Sequence, residues 1–142
     1  MRYGNVYGPR QDPMGESGVV AIFSRLMLDG KQTKIHGSGD QEKDYVFVDD
    51  VVEANIIAME SGVGGTYNIG SGEGTSVNKI FERLAHILEY SWKPIHAPER
   101  AGDVSKIILD ISSARQILGW NPKISLEDGL SRTIDHLRAI TE

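Results

Sequence analysis

Apolar positions recur along this chain in blocks, and most blocks have a helical period. In GESGVVAIFSRLMLDG (residues 15–30), Val19, Val20, Ile22, Phe23, Leu26 and Met27 fall on one helical face, with Gly30 as the stop. DYVFVDDVVEANIIAMESG begins with a short apolar alternation, Tyr45 to Val48. It then turns helical behind Asp49, which the pattern reads as the N-cap, and stops at Gly62. Ser76 caps a third helix, VNKIFERLAHILEY, whose Val77, Ile80, Phe81, Leu84, Ile87 and Leu88 form one stripe. Asp110 is placed to cap ISSARQIL, with Gly119 as its left-handed stop. SLED at Ser125–Asp128 has the pattern of a capping box, opening a last helix with Leu130, Ile134 and Leu137 on one side.

Strand signals are sparser. Arg2 to Tyr7 reads as a single strand ending at the breakers Gly8 and Pro9, and Thr66 to Ile69 as a short strand before a glycine-rich loop. Pro94 and Pro98 flank an extended piece. Two or three strands interleaved with about five helices give an α/β or α+β class, with no linker or repeat to divide residues 1–142 into more than one domain. So few strands make a thin sheet, since parallel sheets want cover on both faces.

Composition narrows the function classes. The chain has 142 residues, 39% hydrophobic and 25% charged, ordinary values for one globular domain. A net charge of −5 with scattered basic residues argues against nucleic acid as a partner. No apolar run nears the roughly 20 residues of a membrane span, and the lack of cysteine makes a reducing cytoplasm the default expectation. No dinucleotide glycine fingerprint, phosphate-binding Walker loop or G-x-S-x-G elbow occurs, and GSGEG at 70–74 has the wrong spacing. The four histidines have no metal-ligand spacing, and none of the five tyrosines is followed by lysine four residues on. Asp49 and Asp50 are adjacent carboxylates, but at a helix start they read as dipole partners and not as an acid/base pair.

Four stretches carry more. RYGNVYGPRQDP (2–13), IHGSGDQEKDYVFVDDV (35–51), YNIGSG (67–72) and PERAGDVSKIILDISSARQILGWNP (98–122), followed by SLEDGL, stand in this order. Together they resemble the C-terminal, substrate-binding part of the extended short-chain dehydrogenase/reductase family, the NAD-dependent epimerases and dehydratases. Within it they are most similar to UDP-glucose 4-epimerases. The resemblance implies that Arg2 to Tyr7 is a late strand of a Rossmann sheet. It also implies that the half with the glycine fingerprint and the Tyr-x-x-x-Lys pair lies before it in the family and is absent here. NAD is then the cofactor of the complete enzyme, where a tyrosine base and NAD exchange the C4 proton and hydride of a UDP-sugar. This chain alone is expected to hold no cofactor and to be inactive.

The resemblance also implies site residues. Asn5 touches the nucleotide-sugar, and Tyr3 lies near the nicotinamide end of NAD. Lys43, in GDQEKD, stands where relatives carry the arginine that grips the pyrophosphate. Lysine offers a point charge in place of arginine's two-pronged fork, so looser binding is expected. Tyr45 packs near sugar or phosphates, Arg100 reaches the diphosphate, Asp103 bonds a ribose hydroxyl, His36 lies against uracil and Val20 contacts the base. Read by residue type alone, Asn5 is equally a turn former, Tyr3 and Val20 core residues, Lys43 a solvated surface charge, and Arg100 with Asp103 a loop ion pair. Two rival functions remain open at this point: part of a nucleotide-sugar dehydratase or reductase, or a non-catalytic domain that pairs its opening strand with a second copy or with a missing N-terminal half.

Overall fold

The computed structural model describes residues 1–14 and 18–140. The first three residues of the stretch read above as a helix, 15–17, lie outside the described residues. The elements run β1 (Arg2–Tyr3), β2 (Asn5–Tyr7), α1 (Val19–Leu28), β3 (Lys34–His36), β4 (Glu42–Phe47), α2 (Val48–Ser61), β5 (Asn68–Ile69) and β6 (Gly74–Ser76). They continue with α3 (Val77–Ile87), β7 (Ile95–Ala97), β8 (Lys106–Ile107), a π-helical turn at Ala114–Leu118 and α4 (Leu126–Ala139). The mixed α/β class stands, and every block read as helical is helical.

Strands are more numerous than the pattern foretold. β2 pairs in parallel with β4, β4 continues antiparallel to β6 and parallel to β8, β1 pairs with β5, and β3 with β7. The opening strand is broken at Gly4, where it changes partner from β5 to β4. Strands of two or three residues leave no periodicity to read.

The run YVFV lacks polar alternation because both faces of β4 are covered. Tyr45 and Phe47 join Tyr7 in an apolar cluster with Val20, Phe23 and Met27 of α1, Ile80 and Leu84 of α3, and Leu130 and Ile134 of α4. Val46, between them, points into a second cluster with Val51 and Ala54 of α2, Ile69, Ala114 and Trp120. Each fully buried side chain of this size contributes roughly 1.5–3 kcal/mol. Gly129 lets α4 approach the sheet, since a Cβ there would lie 2.2 Å from the Tyr7 hydroxyl and 2.9 Å from the Phe47 ring.

Helix ends follow the sequence with one correction. Ser76 Oγ accepts from the Lys79 amide and Ser125 Oγ from the Asp128 amide. Gly62 and Gly119 adopt φ of +63° and +67° as left-handed stops. Asp110 Oδ1 accepts from the Ser112 amide. Asp49 is not the N-cap of α2: the helix begins one residue earlier, at Val48, and Phe47 occupies the cap without a side-chain bond. Both acids lie in the first turn, and Asp50, 2% exposed, accepts from the amides of Lys123 and Ile124. It anchors the loop that leads into α4, a structural role.

Candidate functional site

The pairings of β3 and β4 assemble one concave surface. β2 and β4 set Asn5 directly beside Tyr45 in register. β3 pairs with β7 up to His36 opposite Ala97, and β4 pairs with β8 from Glu42 opposite Lys106. The segment 98–105 is therefore strung between two strand ends, and it carries Arg100 and Asp103 across the mouth of the cleft. His36 ties this segment down, its Nδ1 donating to the Pro98 carbonyl at 3.2 Å; the carbonyl has no proton, so the ring nitrogen supplies it.

Asn5, His36, Lys43, Tyr45, Arg100 and Asp103 all line this cavity of about 270 Å³. Lys34 and Gln41 line it too, and Ile22, Phe23 and Leu26 of α1 supply an apolar wall. Sequence reasoning missed Lys34 and Gln41; the signal available was their position within or just before the stretch 35–51. Val20 and Tyr3 lie elsewhere. Val20 is 1% exposed in the core and faces a second cavity that shares Asn5 and Tyr45 with the first. Tyr3 is 46% exposed and donates its hydroxyl to Asn55 Oδ1 at 2.8 Å, outside both cavities. Larger cavities of about 600 and 470 Å³ exist elsewhere. In the second of these, Arg83 and Lys123 are spent on ion pairs with Glu127 and Glu53.

The electrostatics centre on Asp103. Lys43 Nζ donates to Asp103 Oδ1 at 2.9 Å and to the Val104 carbonyl at 2.6 Å, while Gln41 Nε2 reaches Asp103 Oδ2 at 3.3 Å. The Lys43 hydrogen bond, with that lysine's charge, Gln41 and the Val104 backbone behind it, holds the Asp103 carboxyl below the usual aspartate range against the opposing effect of burial. Tyr45 is pushed up to about 12 by burial and then by the Asp103 charge. It keeps its proton at any ordinary pH. The Arg100 carbonyl accepts from the Asp103 amide at 3.1 Å, while its exposed guanidinium makes no hydrogen bond or ion pair among the described residues. Cations, one carboxylate, a phenol and an apolar wall suit a ligand with an anionic centre, hydroxyl groups and a flat apolar end.

Among the described residues no group of acids or histidines is placed to hold a metal ion. No helix is long and apolar enough to cross a membrane. The sequence has no glycine fingerprint, and Tyr3 is exposed with its hydroxyl donating to Asn55 Oδ1.

Residues 1–70 match the NAD dependent epimerase/dehydratase family. Over 94% of its length the chain is 45% identical to a UDP-glucose 4-epimerase of Mycolicibacterium smegmatis, of which it covers 43%. The UDP-glucose 4-epimerase of Thermotoga maritima, solved with UDP-glucose, superposes over 99% of this chain and 46% of its own, with 53% identity and a TM-score of 0.97. That of Thermus thermophilus, solved with NAD, is 40% identical over 96% of this chain and 45% of its own, with a TM-score of 0.87. The chain thus spans a little under half the length of these relatives. Its matched residues, together with relatives that follow it almost from end to end, assign the chain to the NAD dependent epimerase/dehydratase family.

Proposed function

We propose that this chain is the nucleotide-sugar-binding part of a UDP-sugar epimerase of the UDP-glucose 4-epimerase kind. The observation that carries the reading is the meeting of Asn5, His36, Lys43, Tyr45, Arg100 and Asp103 in one cavity from segments far apart in sequence. Arg100 and Lys43 supply positive charge for a diphosphate, and Asp103 accepts from a ribose hydroxyl. Ile22, Phe23 and Leu26 offer an apolar wall to the base, with His36 at its edge. Asn5 and Tyr45 stand where the cleft continues toward the sugar. Binding energy gathered on the nucleotide positions the reacting sugar carbon. NAD supplies the oxidation and reduction in the family, and no residue of this chain is assigned to that step.

The test is calorimetric titration of the purified chain with UDP and UDP-glucose, alongside an assay of UDP-galactose turnover. Saturable binding with no turnover is the expected result. Absence of UDP binding at millimolar concentration sinks the reading of the cleft, and turnover by this polypeptide alone sinks the division of labour.

A further inference from the structure

The ladder between β3 and β7 stops abruptly, and two histidines stand at its end. Ile35 lies opposite His96, and His36 opposite Ala97. One residue on, the Gly37 amide donates to the Ala97 carbonyl at 2.9 Å, and Gly37 then turns the chain away at φ +71°. On the other strand Pro98 has no amide to offer, so the ladder has no next rung.

The two rings bridge this point crosswise. His36 on β3 donates from Nδ1 to the Pro98 carbonyl beyond β7 at 3.2 Å. His96 on β7 donates from Nδ1 to the Gly37 carbonyl beyond β3 at 2.8 Å. A carbonyl only accepts, so both rings carry a proton on Nδ1. His36 lines the cleft, whereas His96 is exposed and is not among the residues that line it.

The segment 98–105 hangs from this clasp. Its second half is held by Lys43 and Gln41 through Asp103 and Val104, and by the Glu42 amide, which donates to the Ser105 carbonyl at 2.8 Å. Its first half has the histidine bond to Pro98 and one internal bond, from the Asp103 amide to the Arg100 carbonyl. Arg100 stands in that first half, two residues past Pro98. Ordering the backbone of one residue costs roughly 1–2 kcal/mol, and a clasp already closed before the ligand arrives spares binding part of that cost.

We propose that His96 is a positioning residue for the nucleotide site: its ring, crossed with that of His36, fixes where the segment 98–105 starts and so aims Arg100 into the cleft. This rests on the reading of the cleft given above and adds to it a residue from outside the cavity.

Calorimetric titration of the intact chain with UDP tests it. His96→Ala should weaken UDP about fivefold, the scale of one lost hydrogen bond. Asparagine sets its amide nitrogen where histidine has Nδ1, and glutamine sets it where histidine has Nε2. His96→Asn should therefore bind UDP as the native chain does, and His96→Gln as weakly as His96→Ala. In an Arg100→Ala background His96→Ala should cost nothing further, because the side chain it aims is gone. A histidine that only steadied the fold would weaken UDP in both backgrounds alike. Native affinity in His96→Ala, equal affinity in His96→Asn and His96→Gln, or an undiminished loss in the Arg100→Ala background overturns the proposal. The contrast between the asparagine and glutamine variants stands even if His96→Ala does not fold. Failure of the native chain to bind UDP refutes the reading of the cleft and this proposal with it. UDP binding that is indifferent to His96 refutes the role of His96 alone.

Discussion

Two aspartates sit on either side of Lys43 in space and behave differently. Asp44, the next residue along β4, is fully buried and accepts from the amides of Ser71, Gly72 and Leu109 and from the Ser71 hydroxyl. Asp103 lies at the cleft, a quarter of its side chain in water, and its side-chain partners are Lys43 and Gln41. The first is tied by three backbone donors held in place by the chain itself. The second is tied by flexible side chains that can move aside. What separates a structural carboxylate from one available to a ligand is the kind of donor around it; residue type is the same in both.

Removing each side of this contrast should have effects of different size and kind. Asp44→Ala takes the acceptor from the amides of Ser71, Gly72 and Leu109 and should cost roughly 3 kcal/mol, read as a lower urea midpoint. A loss under about 1 kcal/mol would dissolve the distinction. Arg100→Ala should lower UDP affinity about tenfold, the scale of one charge-assisted bond, while the melting temperature stays put because the Arg100 guanidinium has no partner among the described residues. Asp103→Asn should lower stability by under about 1 kcal/mol at pH 7. That difference has a sign with pH. The Asp103 carboxyl is held low in the folded chain, so its contribution is full above the ordinary value of about 4 and fades as pH falls through the lowered one. Urea midpoints of the native chain and Asp103→Asn should therefore converge as pH falls below about 4; a gap that widens on acidification would reverse the assignment.

The helices were legible because their signals are local. Ser76 and Ser125 bond amides three residues on, and Gly62 and Gly119 need only a left-handed backbone. The small strands were not legible, because β3, β6 and β8 gain their extended form from partners 30 to 64 residues away in sequence. Asp49 misled because an acid before a helical run is the usual cap, yet the buried bonds of Asp50 to Lys123 and Ile124 belong to a helix that begins at Val48. Most candidate cleft residues were readable from short motifs in order. Lys34 and Gln41 were not, since residue type alone does not separate a lysine or glutamine that faces a cavity from one that faces water.

The ammonium of Lys43 already has a counter-ion. With Asp103 and the Val104 carbonyl in place, an anion arriving at this lysine exchanges with a bound partner and adds no new pair. Close pairs at Lys43 are equal in number before and after such an exchange, so dissolved salt screens both states alike. Any sensitivity of anion binding in this cleft to ionic strength therefore belongs to Arg100 and Lys34, whose side chains line it with no ion pair among the described residues.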